Sequence, residues 1–138
     1  MPDPTWACIP PDVLELALAV RYAVEDLQPI YGWPPSLAGA CIVASVALAR
    51  LCGDYGISVE VQHGECFGLP HCWVTCGDRL VDVTATQFGL PRVFCPNVDD
   101  PRYDEAVVIP WQTPQVPALE VLVELVVSAA HAYATPEG

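Results

Sequence analysis

The chain predicts an α+β domain, with helices first, an antiparallel sheet after them and a closing helix. Three observations carry that reading. Apolar residues recur at helical spacing over residues 12–27 and again over 36–52. From Ile57 to Val61 apolar and polar residues alternate, as on a half-buried strand. A Gly77-Asp78 pair then separates two strand-like segments, a strong hairpin signal. At 138 residues the whole chain, 1–138, reads as one domain with a single core.

The first helix is expected after Pro10-Pro11, from Asp12 to about Leu27, with Val13, Leu16, Ala17, Val20, Val24 and Leu27 as its apolar stripe. Pro29 should end it. Ser36 is the expected N-cap of a second helix reaching Leu51 or Cys52 and closed by Gly53. Its alanines, with Ile42, Val43, Val46, Leu48 and Leu51, make it apolar nearly all round, which suits a central, buried helix. A strand follows at Ile57, then a loop around Gly64 to Pro70. A strand at His71 and a return strand at 79–84 should form the hairpin, and a further strand is expected near Ala106. Pro117 opens a last helix to about Tyr133. Its polar stripe is Glu120, Glu124, Ser128 and His131, and its other faces are apolar, for burial against the sheet or a homodimer contact.

Composition narrows the function. Seventeen acids stand against five arginines and no lysine, a net charge of −12. Such a chain lacks the basic footprint that nucleic-acid phosphates or anionic lipids require. The residues before Asp12 carry no secretory signal pattern, and no uninterrupted apolar run approaches about 18 residues. The expectation is a cytoplasmic protein whose seven cysteines are free thiols. Cys8, Cys52 and Cys95 read as packing residues.

The chemistry-bearing residues lie within residues 36–90. Cys41 stands near the start of the second helix, His71 on one strand of the hairpin and Asp82 on the next. A two-residue turn at Gly77-Asp78 pairs residues whose numbers sum to 155, so Trp73 opposes Asp82 and His71 opposes Thr84. His71 and Asp82 are then diagonal neighbours on one face, about 7–8 Å apart along the backbone and within side-chain reach. A thiol is mostly protonated near neutrality, but a helix start and an adjacent imidazolium both favour the thiolate. A carboxylate behind the histidine would fix its tautomer, and the Cys41 backbone N–H is the first oxyanion donor. A zinc site at Cys66, His71, Cys72 and Cys76 competes for the same residues, but the spacings form no pair of zinc knuckles and Cys72 faces away from His71. No metal or organic cofactor is expected.

With Gly39-Ala40-Cys41, His71-Cys72-Trp73 and Asp82-Val83-Thr84, the stretch from Gly39 to Phe88 resembles the transglutaminase-like branch of the papain-like cysteine enzymes. In size and in the order Cys then His-x-Trp it is similar to the leader peptidases of lasso-peptide pathways. Val83 stands where the family usually has a proline after the aspartate. The resemblance implies a nucleophile-bearing central helix packed on a small antiparallel sheet. It also implies Cys41 as nucleophile, His71 as base and Asp82 as orienting carboxylate, with Trp73 and Gln87 in support. The expected activity is that of a cysteine hydrolase or acyltransferase on an amide or acyl bond of a peptide or protein. The alternative is a non-catalytic acidic interaction module on the same scaffold.

Overall fold

The computed structural model describes residues 11–34, 37, 39–112 and 115–134. It is an α+β fold of three α-helices and a four-stranded antiparallel sheet. The helices are α1 (Pro11–Tyr31), α2 (Cys41–Asp54) and α3 (Pro117–Ala134). The strands are β1 (Glu60–Cys66), β2 (Leu69–Cys76), β3 (Arg79–Val81) and β4 (Tyr103–Ile109), in the spatial order β3-β2-β1-β4.

Helix α2 is the centre of the molecule. Val43 to Ala49, Leu51 and Cys52 are buried along it. It packs on α1, on α3 and on the sheet face carrying Val61, Val74 and Val81. Its many alanines let three neighbours approach one helix closely. Helix α3 differs from expectation: it lies on α1 and α2 rather than on the sheet, burying Val123, Val126 and Ala130. Val121 and Leu125 stay exposed. This 18-residue helix is long and apolar enough by composition to cross a membrane, with a mean hydropathy of 1.3.

Several expected boundaries move, each for a local reason. Helix α1 runs through Pro29 to Tyr31. A proline in the last turn removes only its own donor, and Gly32, at φ +76°, closes the helix instead. Helix α2 starts at Cys41 rather than Ser36, with Ala40 at its N-cap, and ends at Asp54 beyond Gly53. Ser36 and Cys8 lie outside the described residues. The expected loop at 64–70 is strand and turn. β1 begins at Glu60 rather than Ile57 and continues to Cys66, the chain reverses through Phe67 and Gly68, and β2 starts at Leu69. The Gly77-Asp78 turn sets the expected register, pairing Val74 with Val81 and Cys76 with Arg79. The return strand stops at Val81, however, so Trp73 and Asp82 do not pair. Asp82 bridges to Phe94 instead.

The sheet's outer face carries a second, smaller core of Cys66, Trp73, Leu80 and Tyr103, flanked by Phe88 and Phe94. Gly64 makes room for it. A Cβ there would lie 2.5 Å from the Asp104 carbonyl oxygen and 2.8 Å from the Trp73 ring. The Trp73 indole therefore lies close against bare backbone at the residue that pairs with His71. Gly64→Ala is expected to cost about 1–3 kcal/mol by overpacking. A shift in the urea midpoint at constant m-value would show it, and an unchanged midpoint would contradict the close approach.

Candidate active site

Cys41 is the first residue of α2, and Ala40 before it offers no side-chain cap. The first turn therefore presents backbone N–H groups that no helical carbonyl accepts. Because β3 ends at Val81, the edge of β2 at residues 71–73 has no third strand beside it. The start of α2 comes in at this gap. There the Cys41 sulfur interacts with the Cys72 thiol, the His71 ring and the Cys72 backbone N–H. The thiol hydrogen bond from Cys72 is the largest influence on Cys41. Burial opposes ionisation, and His71 and the Cys72 N–H favour it. The balance lowers the Cys41 pKa to about 5. The other described cysteines go the opposite way: burial pushes Cys52 and Cys95 up to about 12 and raises Cys76. The Cys72 thiol is also raised, first because it is the donor to Cys41.

His71 is buried, at 1% exposure, and its two ring nitrogens have different partners. Nε2 lies 2.7 Å from Asp82 Oδ2, and Nδ1 lies near the Gln87 amide; with Nε2 committed to Asp82, the interaction with Cys41 falls to Nδ1. Asp82 is buried as well, and every lone-pair direction of its carboxylate is occupied. The Tyr103 hydroxyl donates to Oδ2 at 2.7 Å. The Thr84 backbone N–H donates to Oδ1 at 3.0 Å and the Thr84 hydroxyl at 3.5 Å. With Asp82 accepting throughout, the His71 proton belongs on Nε2, which leaves Nδ1 to exchange a proton with Cys41. Burial, the largest effect on His71, disfavours its charged form. The hydrogen bonds to Asp82 and Cys41 outweigh it and raise the pKa to about 9.

Gln87 adds a constraint on Nδ1. Its amide nitrogen donates to the Thr84 carbonyl at 3.2 Å and lies 3.1 Å from Nδ1. A carbonyl can only accept, so the amide is held with its donor toward the imidazole. An N–H aimed at Nδ1 stabilises the neutral ring, whereas the thiolate stabilises the protonated one. Gln87 and Cys41 thus compete for one nitrogen.

The surrounding elements hold this geometry. Asp82 and Phe94 exchange backbone hydrogen bonds of 2.9 and 3.0 Å. Arg21, buried on α1, donates to the Val83 carbonyl at 3.1 Å and the Thr86 hydroxyl at 2.8 Å. It fastens the segment between Asp82 and Gln87 to the helical layer. The structure thus brings Cys41, His71 and Asp82 together, with Trp73 packed 6.1 Å from the His71 ring. Tyr103 and Cys72 were not expected at the site, and only the Asp82-Val83-Thr84 spacing hinted at the Thr84 contact. The competing zinc set does not converge. Cys66 and His71 belong to the outer face while Cys72 and Cys76 alternate to the helical side. Among the described residues no group of three potential ligands gathers. A surface cavity of about 610 Å³ lies at the far end of α2, lined by Gly53, Trp111 and Val127, away from Cys41.

No family model, curated protein or solved structure matches this chain. Removing the competing donor with Gln87→Ala should lower the pH at which Cys41 is alkylated. A neutral hydrogen bond of about 0.5–1.5 kcal/mol corresponds to about 2- to 10-fold more thiolate on the acid limb. An alkylation profile that stays put or moves to higher pH would show that Gln87 does not oppose the ion pair.

Proposed function

We propose that this protein is a cysteine-dependent hydrolase or acyltransferase acting on an amide or related acyl bond of a peptide or protein. The observation that carries the proposal is the buried His71, which is hydrogen-bonded through Nε2 to Asp82 and also interacts with Cys41. The sulfur attacks the carbonyl carbon as a thiolate, and the oxyanion so formed is received by the Cys41 backbone N–H. Nδ1–H of His71 passes its proton to the leaving amine, the C–N bond breaks, and a thioester on Cys41 remains. Water or an incoming amine then attacks the thioester while Nδ1 takes up its proton. Collapse of the second tetrahedral intermediate expels the Cys41 thiolate. Asp82 keeps the ring in the tautomer both halves require and offsets its positive charge. A transglutaminase-like, papain-like core is the fold reading that goes with this chemistry: a helix opening on its nucleophile, packed on an antiparallel sheet that supplies the base. The free thiols of the six described cysteines suit a reducing, cytoplasmic setting.

A second reading has its own observation. Val107 and Val108 are exposed on β4, the strand at one end of the sheet, and Val121 and Leu125 are exposed on α3. Those surfaces suit an acidic interaction module, or a homodimer through α3.

Alkylation separates the readings. Cys41 should react with iodoacetamide at about pH 6, where an ordinary thiol is protonated, and His71→Ala should abolish that preference. Even labelling of several cysteines, indifferent to His71, would put the interaction module ahead. The pH dependence follows from the two shifts. Cys41 is lowered, so the thiolate is present above about 5. His71 is raised, so the proton donor is present below about 9. Acyl transfer to Cys41 from an amide should therefore plateau between those limbs. A profile that only rises toward alkaline pH would indicate an unassisted thiol.

A further inference from the structure

The β1–β2 turn is made of Phe67 and Gly68, both with positive φ, +52° and +77°. Two-residue hairpin turns of this kind favour Asn-Gly, because a bulky side chain at positive φ crowds its own backbone. Phenylalanine is therefore a poor residue for the fold at this position. Its ring is also 55% exposed, so it contributes little to a core. The turn is nonetheless held in place, since the Phe67 N–H donates to the Arg102 carbonyl at 3.1 Å.

The direction in which this ring lies gives it a use. Its centroid is 5.8 Å from that of Phe88, and the Phe88 ring meets His71 edge-on at 4.9 Å. Leu69, 57% exposed, alternates along β2 onto the face that carries His71. Phe67 and Phe88 thus form an apolar wall that runs up to the imidazole, with Leu69 on the same face of the sheet. Strained, exposed residues of this kind concentrate where a ligand is gripped.

We infer that Phe67, Leu69 and Phe88 form the substrate subsite beside the reacting bond, and that it accepts a large apolar or aromatic side chain of a peptide substrate. This rests on the catalytic reading of Cys41 and His71. A second copy of the chain is a poorer occupant, because whatever lies on this wall sits next to the reacting groups.

Peptidyl chloromethyl ketones provide the test, with Phe or Leu against Gly or Asp next to the reactive carbon and iodoacetamide as the small reagent. The full chain should be inactivated at Cys41 at least about tenfold faster by the Phe and Leu reagents than by the Gly reagent, after dividing by the iodoacetamide rate. Phe67→Asn is the informative variant, because asparagine tolerates positive φ. It should melt no lower than the parent while losing most of that discrimination, and Leu69→Ser should lose part of it. Selective iodoacetamide labelling of Cys41 without an apolar preference would overturn this inference alone. So would a preference that survives in both variants, or a Phe67→Asn change that alters only the oligomeric state in light scattering. Absence of selective labelling by iodoacetamide in the parent would overturn the catalytic reading and the subsite with it.

Discussion

The 2.7 Å hydrogen bond between His71 Nε2 and Asp82 Oδ2 is the contact on which the rest of the site depends. Both groups are about 99% buried, and burying a carboxylate and an imidazole is costly unless each is paired and hydrogen-bonded. Here the cost is offset by Tyr103 and Thr84, which fill the remaining acceptor positions of Asp82. One consequence is chemical. A carboxylate that only accepts leaves His71 with one nitrogen free of Asp82, the one for which Gln87 and Cys41 compete. Another is electrostatic. The imidazole can take a second proton in a buried place because a counter-charge is already there.

Three features of the fold exist around that contact. β3 is only three residues long, which frees the edge of β2 for the start of α2 and lets Asp82 turn toward His71. Phe94 takes over the backbone pairing that β3 relinquishes, so Asp82 stays rigid outside the strand. Arg21 ties the following segment to α1, and through it the position of Gln87 depends on the helical layer. Stability and chemistry are coupled here: the residues that anchor Asp82 also decide which nitrogen of His71 exchanges protons.

Much of this was legible locally, and the exceptions have physical causes. The apolar faces of α1 and α2, the Gly77-Asp78 turn and its register all come from short-range patterns, and so does the nearness of His71 to Asp82. Proline at 29 misled because the rule against helical proline weakens in a final turn. The Phe67-Gly68 turn was invisible because its first residue defies the turn preference. Tyr103 opens β4 ahead of the strand expected near Ala106, and its contact with Asp82 spans 21 positions that no periodicity links. The Cys72 thiol faces away from His71, as strand alternation requires, and so toward the helical layer, where it meets Cys41.

The central claim is that Cys41 and His71 rest as a thiolate and an imidazolium, held by Asp82. NMR of the labelled His71 ring nitrogens tests it most directly. The account predicts both nitrogens protonated at neutral pH in the parent, with Nδ1 losing its proton at distinctly lower pH when Cys41 is replaced by alanine. A His71 ring that is neutral at that pH, with Nδ1 unprotonated whether or not Cys41 is present, would contradict it.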